Sequence, residues 1–290
     1  MSVETSSRRK RSRAFPVRDG VAVVTGAASG IGAALAEALA ARGCNLALAD
    51  INAPSLKAIA ARARSRGVRV SEHQLDVADR AAVAALPEAV LAEHGRVGIL
   101  VNNAGVALGG SFEQVSAEDF DWLFSINFGG VVSMTRAFLP VLRRESMAQI
   151  VNLSSIYGII APPGNVAYAA SKFAVRGFSE ALRHELEGSP VGVTIVHPGG
   201  VRTAIASSAR SAAMSEAERD TARAMAERLL RLPPEKAAER IARGIERREK
   251  RVLVGRDAQR VALIQRMFPI GYWSVINRLR PGKRQGAARG

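Results

Sequence analysis

Tyr168 and Lys172 stand four residues apart in an Ala-rich stretch of helical period, so their side chains share one face of a helix. That pairing suits proton transfer. A phenol with an ordinary pKa of about 10 is a poor base near neutrality, and a neighbouring cation lowers it by roughly 1 to 3 units. A second group of residues, Thr25-Gly-Ala-Ala-Ser-Gly-Ile-Gly32, joins a β-branched run to an Ala-rich helix. Glycines there let the chain turn tightly off a strand and bring backbone N–H groups against a pyrophosphate, at a helix end that carries partial positive charge. Taken alone, the stretch also admits the reading of a plain strand-to-helix turn. Asp50 changes this, because it ends the next β-branched run eighteen residues after Gly32, where an acid bonds the ribose hydroxyls of a dinucleotide. A carboxylate there also repels a 2′-phosphate by about 4 kcal/mol per unit charge at roughly 4 Å. No Arg or Lys occupies Ala27, Ala28, Ser29, Ile51 or Asn52 to offset that repulsion, so NAD is favoured over NADP. With a nicotinamide in place, hydride passes between carbon and the ring while Tyr168 exchanges a proton with the substrate oxygen, and Lys172 with the nicotinamide charge lowers the phenol.

The elements that must position these residues follow from the hydropathy pattern. From Gly20, short β-branched runs alternate with Ala-rich stretches, as in a parallel sheet covered on both faces. Strands are predicted at 21–25, 45–50, 68–75, 99–101, 149–153, 191–197 and 251–254. Helices are predicted at 30–42, 53–66, 80–93, 117–143, 167–187, 215–232 and 234–248. Right-handed crossovers make these an α/β fold, a single Rossmann-like doubly wound parallel sheet of about seven strands with a C-terminal amphipathic extension. The expected organisation is a basic flexible tail over 1–19, a catalytic domain over 20–255 with a lid at 204–232, and a basic extension over 256–290.

The chain has 290 residues and a formal net charge of +15, carried at its two ends. Residues 1–19 hold six bases against Glu4 and Asp19, residues 236–290 hold fifteen against four acids, and the body between has equal numbers of each sign. A neutral body with basic ends argues against nucleic acid as a partner. The N-terminal stretch lacks the apolar core of a secretory signal and reads as a solvated tail, with a transit peptide or a nuclear-import run at Arg8–Arg11 as alternatives. A single cysteine, Cys44, fits a reducing compartment, and the expected location is the cytoplasm. His73, His94, His184 and His197 have no ligand spacing, so no metal is expected.

Several motifs in order give the sequence a family likeness. The turn is spaced TGxxxGxG, and Asp76-Val77, Asn102-Asn-Ala-Gly105, Asn127, Ser155, Tyr168-Ala-Ala-Ser-Lys172 and Pro198-Gly-Gly-Val-Arg-Thr203 follow it. From about Val21 to Thr203 the chain resembles the short-chain dehydrogenase/reductase family. The resemblance implies that Asn127, Ser155, Tyr168 and Lys172 are catalytic: the lysine binds the nicotinamide ribose, the serine steadies the substrate oxygen, and the asparagine holds a water in a proton relay. Ser155 is preferred to Ser154 because the family's serine lies thirteen residues before the tyrosine, with Ser154 as a neighbouring support. It further implies that Gly26, Ser29, Gly30, Ile31, Gly32, Asp50 and Ile51 hold the cofactor. Asp76 and Val77 would line its adenine, Asn103, Ala104 and Gly105 its centre, and Pro198, Gly199, Val201 and Thr203 its carboxamide end. Asn102 is read as a sheet residue. Singly, Asn127 reads as a hydrogen-bonder, Ser155 as a turn residue, Tyr168 as a core aromatic and Lys172 as a solvated charge. Their joint order favours catalysis.

Substrate choice is expected in 106–112, 156–166 and the 204–232 lid, which offer Val106, Leu108, Ile156, Tyr157, Ile159, Ile160, Val166 and Ile205 and no Arg placed to clamp an anion. The reading is an NAD-dependent enzyme interconverting an apolar secondary alcohol and its ketone, acting as a homodimer or homotetramer like its relatives. The alternatives are an NADP-dependent ketone reductase, or a non-catalytic nucleotide-binding protein that uses its basic ends on membrane or nucleic acid. Residues 256–284 mix arginines with aliphatic and aromatic residues, which suits either packing over the pocket or a subunit interface, or peripheral contact with an anionic membrane. Eleven residues between Arg266 and Arg278 are too few to span one, which takes about 20.

Overall fold

The computed structural model describes residues 14–205, 208–211 and 213–279. Seven parallel strands form one sheet in the order β3-β2-β1-β4-β6-β7-β9. They are β1 (Val21–Thr25), β2 (Asn45–Asp50), β3 (Val70–Gln74), β4 (Ile99–Asn102), β6 (Ala148–Leu153), β7 (Val191–Pro198) and β9 (Arg251–Val254). Every residue of β1, β4 and β6 is buried, as strands covered on both faces must be. The order reverses between β1 and β4, and a crevice opens there at the strands' C-terminal ends.

Helices α1 (Gly30–Ala40), α2 (Ala53–Arg64) and α8 (Pro234–Glu246) contribute to the apolar layer on one face, with Leu35, Leu39, Leu56 and Ile241 buried in it. On the other face α3 (Arg80–His94), α5 (Val131–Leu142) and α6 (Val166–Glu185) cover the sheet around Val90, Phe138 and Leu182. Between them along the chain lies α4 (Ala117–Phe124). Two short strands, β5 (Leu108–Gly109) and β8 (Arg210–Ser211), pair in parallel as a separate ribbon, followed by α7 (Glu216–Leu229). The chain then continues past β9 into α9 (Arg256–Met267) and α10 (Tyr272–Leu279).

The helix predicted over 117–143 is divided. Ser125–Gly130 forms a π-helical turn between α4 and α5. Two contacts with distant segments accompany it: a Cβ on Gly130 would lie 2.8 Å from the Val77 side chain in the loop after β3, and the Asn127 amide bonds the Val106 backbone. The tail expected over 1–19 needs correction from residue 14 on. Phe15 and Val17 are buried in the core, and the Phe15 N–H donates to Glu246 O at 2.8 Å, so two apolar side chains among the bases tie this stretch down. Residues 1–13 and 280–290 lie outside the described residues.

Candidate active site

The Gly-rich turn is built by close approach. A Cβ on Gly32 would lie 2.0 Å from Gly26 O, and Gly26 itself has φ +63°, with Ala104 Cα 2.8 Å from where its Cβ would stand. Gly30, also at positive φ, faces the Thr203 methyl. Among the described residues no side chain caps α1: Ser29 makes no cap bond, and the first turn holds no acid. That bare amide end is a cradle for an anion, and these residues fit the pyrophosphate of a dinucleotide. The Asp50 carboxylate sits beside it, accepting the Ala28 N–H and the Asn52 N–H, each at 2.9 Å. Ile51 next to it is exposed.

The loop after β4 is locked to this turn. The Asn103 Nδ2 donates to Thr25 O at 2.9 Å and Gly26 O at 3.0 Å, while the Asn103 and Ala104 N–H groups donate to Thr25 Oγ1. Asn103 therefore acts through its side chain as a clasp between two loops. Asn102 joins Thr135 and Asn152 in a buried chain that continues to Ser179. Asp76 accepts the Ala78 N–H and stays exposed, whereas the Val77 side chain is buried against Gly130. Val201 likewise turns its side chain into the core.

Across the crevice, Asn127 is buried in the π-turn. Its Oδ1 accepts the Val106 N–H at 2.8 Å, and its Nδ2 donates to Val106 O at 3.0 Å and Ser171 Oγ at 3.2 Å. Ser155 follows β6 as the N-cap of a single 3-10 turn, Ile156–Gly158; its hydroxyl accepts the Tyr157 N–H at 3.1 Å and lies near enough to Tyr168 to favour the ionised phenol. Ser154 points elsewhere, donating to Lys172 O at 2.9 Å. Lys172 is buried, with Nζ donating to Leu153 O at 3.2 Å and lying 5.7 Å from the Tyr168 ring centre.

Burial pushes the Tyr168 phenol up to about 12 despite the nearby Ser155 hydroxyl, which lowers it, and with Tyr157 adding to the rise. Burial also holds the Lys172 ammonium down to about 8. In the protein alone desolvation dominates at both groups. The lowering expected of Lys172 is one that it exerts together with the nicotinamide charge.

Three features were missed in the sequence. His197, dismissed as a metal ligand, is buried under the serine, and its Nδ1–H donates to Ser155 O at 2.9 Å. Burial pushes its imidazole down to about 4, so it is neutral. Asp257, counted only as a charge of the extension, accepts the Gly200 N–H at 2.6 Å and packs against Gly199. The aromatics of α4 build an apolar wall: Phe120, Trp122 and Phe124 pack with Leu108, Leu123 and Ala167, beside Val106 and Tyr168. Ile159 and Ile160, expected at the substrate, are buried instead. Arg210 of the lid stacks 3.6 Å over Trp122 and pairs with Asp119 at 3.0 Å, joining the lid to that wall. Among the described residues no group of His, Cys, Asp or Glu could hold a metal ion.

A doubly wound sheet with a bare helix end at its switch point, facing a Ser–Tyr–Lys set, is the architecture of a nucleotide-dependent oxidoreductase. Residues 20–213 match the family model described as short chain dehydrogenase, and the chain belongs to the short-chain dehydrogenase/reductase family of oxidoreductases. It is 42% identical over 258 residues to SadH of Mycobacterium tuberculosis, named as an oxidoreductase, covering 88% of this chain and 93% of that protein. A short-chain dehydrogenase/reductase of Burkholderia phymatum in complex with NAD superposes with a TM-score of 0.82 at 30% identity, over 94% of this chain and 99% of that one. A metagenomic short-chain oxidoreductase in complex with NADP gives 0.67 at 29%, over 83% and 98%.

Proposed function

We propose that this protein is an NAD-dependent oxidoreductase that interconverts an apolar secondary alcohol and its ketone. One observation carries the reading: Tyr168 lies beside Ser155 and a buried Lys172, whose Nζ is 5.7 Å from the phenol ring centre, and the adjoining wall is apolar. A bound nicotinamide supplies the hydride acceptor or donor. Ser155 and Tyr168 then hold the substrate oxygen between two hydroxyls, and Tyr168 takes or gives its proton. Lys172 holds the nicotinamide ribose and keeps a positive charge near the phenol. Asn127 has its amide engaged by Val106 and Ser171, so the relay water is held from the backbone of the π-turn rather than by that side chain.

Cofactor contacts are assigned to the 26–32 turn, Asp50, Ile51, the backbone at Asp76 and Val77, residues 103–105, and the 198–203 loop. Asp50 at the end of β2 supports NAD, because a carboxylate beside the Gly-rich turn would repel a 2′-phosphate and the turn carries no Arg or Lys to offset it. We place the protein in the cytoplasm as a homodimer or homotetramer, with peripheral membrane contact through its C-terminal arm. A panel of apolar, polyhydroxylated and carboxylated alcohols and ketones, followed by NADH absorbance, tests the substrate class. Turnover of apolar members is expected, and turnover restricted to the carboxylates would overturn it.

A further inference from the structure

We infer that α9 and the turn after it form a docking face for an anionic lipid surface, which deepens the proposed function by naming the surface and the residues that meet it. The inward direction of α9 is set by Ala258, which is fully buried. Helical period then places Arg256, Arg260, Leu263 and Met267 together on the opposite side, and all four are exposed. The chain leaves this helix through Phe268-Pro-Ile-Gly271, where Ile270 is 96% exposed and Phe268 50%. Leu279 at the end of α10 is also exposed. Exposed apolar side chains thus run from the end of α9 into the turn after it as an apolar tip, with arginines on the same helix beside it.

Charge decides the occupant. Arg256, Arg260, Arg266 and Arg278 form no ion pair among the described residues, and Asp257, the one acid of the arm, is taken by Gly200. The sequence after Leu279 adds Arg280, Lys283, Arg284 and Arg289 and no acid. In a two-fold dimer a patch meets its own copy, which would set these arginines against each other. An anionic lipid layer neutralises them and takes up the apolar tip. Among the described residues no helix is long and apolar enough to cross a membrane, so the contact is peripheral.

The face also adjoins the site. The Tyr272 hydroxyl accepts the Ala161 N–H at 3.1 Å, in the segment that follows Ser155, and α9 packs against the Ile156–Gly158 turn. Docking therefore brings the substrate segment close to a lipid phase, and the class of substrate it favours is an alcohol or ketone that partitions into lipid.

Co-sedimentation of the full chain with phosphatidylcholine vesicles, with and without phosphatidylglycerol, tests this without any enzyme assay. Binding to the anionic vesicles is expected, weakened by salt. The double variant Arg256→Gln/Arg260→Gln should lower it by about tenfold or more, each arginine near such a surface contributing a several-fold factor. Met267→Glu/Ile270→Glu should abolish it while NAD binding, read by fluorescence, is unchanged. Absence of wild-type binding, or equal binding to neutral vesicles, would overturn the proposal. So would dissociation of an oligomer by the glutamate variant, seen in sedimentation velocity, since the face would then cover a second copy. Loss of turnover with vesicle binding intact would count against the proposed enzyme and leave the docking face standing.

Discussion

His197 holds Ser155 from below: its Nδ1–H donates 2.9 Å to the Ser155 carbonyl, from a position with no solvent exposure. The bond fixes the backbone that carries the serine hydroxyl. Replacing His197 by Leu leaves that carbonyl unpaired and buried, at a cost of about 1 to 3 kcal/mol. The expected result is a kcat lowered by roughly tenfold with KM for NAD unchanged, and substantial rescue by His197→Asn, which retains a donor. Steady-state kinetics of the two variants check this, and equal activity of His197→Leu and wild type would contradict it.

The same histidine gives stability a pH dependence. Its imidazole is pushed by burial to about 4, below the ordinary 6.5 that it regains on unfolding. The unfolded chain therefore binds the extra proton first as pH falls. Its contribution is fully present above about pH 6.5 and is lost towards pH 4, at about 1.4 kcal/mol per pH unit. Denaturant unfolding at several pH values should show this slope in wild type and a shallower one in His197→Asn.

Tyr168 and Lys172 lie close enough to act together, yet in the protein alone the phenol stands at about 12 and the ammonium at about 8. Proton transfer near neutrality requires the phenol to come down. Phenolate absorbance, with Tyr168→Phe subtracted to remove Tyr157 and Tyr272, should titrate near 12 in the free protein and shift lower when NAD is added. Tyr168→Phe should reduce turnover by about a thousandfold, within the range removed with a general acid–base, while NAD affinity stays nearly constant.

Both Asp50 carboxylate oxygens are engaged, Oδ2 by the Ala28 N–H of the Gly-rich turn and Oδ1 by the Asn52 N–H after β2, and the proposed function sets its charge toward the ribose. Asp50→Asn keeps an acceptor and removes the charge. The ratio of kcat/KM for NAD over NADP should fall by about a hundredfold, less than the unscreened Coulomb limit. A wild-type preference for NADP would refute the assignment.

The sheet was legible because most of its strands are apolar runs, with β3 at the edge alternating instead, and the candidate site because Tyr168 and Lys172 share a helix period and the glycines mark tight turns. Contacts between residues far apart in the chain left no local pattern. His197 reads as a strand residue until the fold lays it under Ser155, and Arg210 reads as a loop charge until it stacks on Trp122. The π-turn was hidden because 117–143 keeps helical composition throughout; its signal was Gly129-Gly130, two poor helix formers in mid-helix. Phe15 and Val17 were masked by the bases around them.

Asp257 ties the C-terminal arm to the 198–203 loop. Its carboxylate accepts the Gly200 N–H, and Gly199 passes so close that a Cβ would lie 2.2 Å from Oδ2. The loop expected at the nicotinamide carboxamide is thus held from beyond the last strand. Asp257→Ala frees one N–H and loosens two glycines, which have the most backbone entropy to regain. NAD affinity should fall by about tenfold, the equivalent of one charged hydrogen bond, as read by fluorescence titration. Removing 256–290 should have the same effect, because it takes Asp257 away with the basic face. A chain ending at Ile264 keeps Asp257 and Ala258 and should bind NAD like the full protein. Equal affinity in the two truncations would show that the loop is fixed without Asp257.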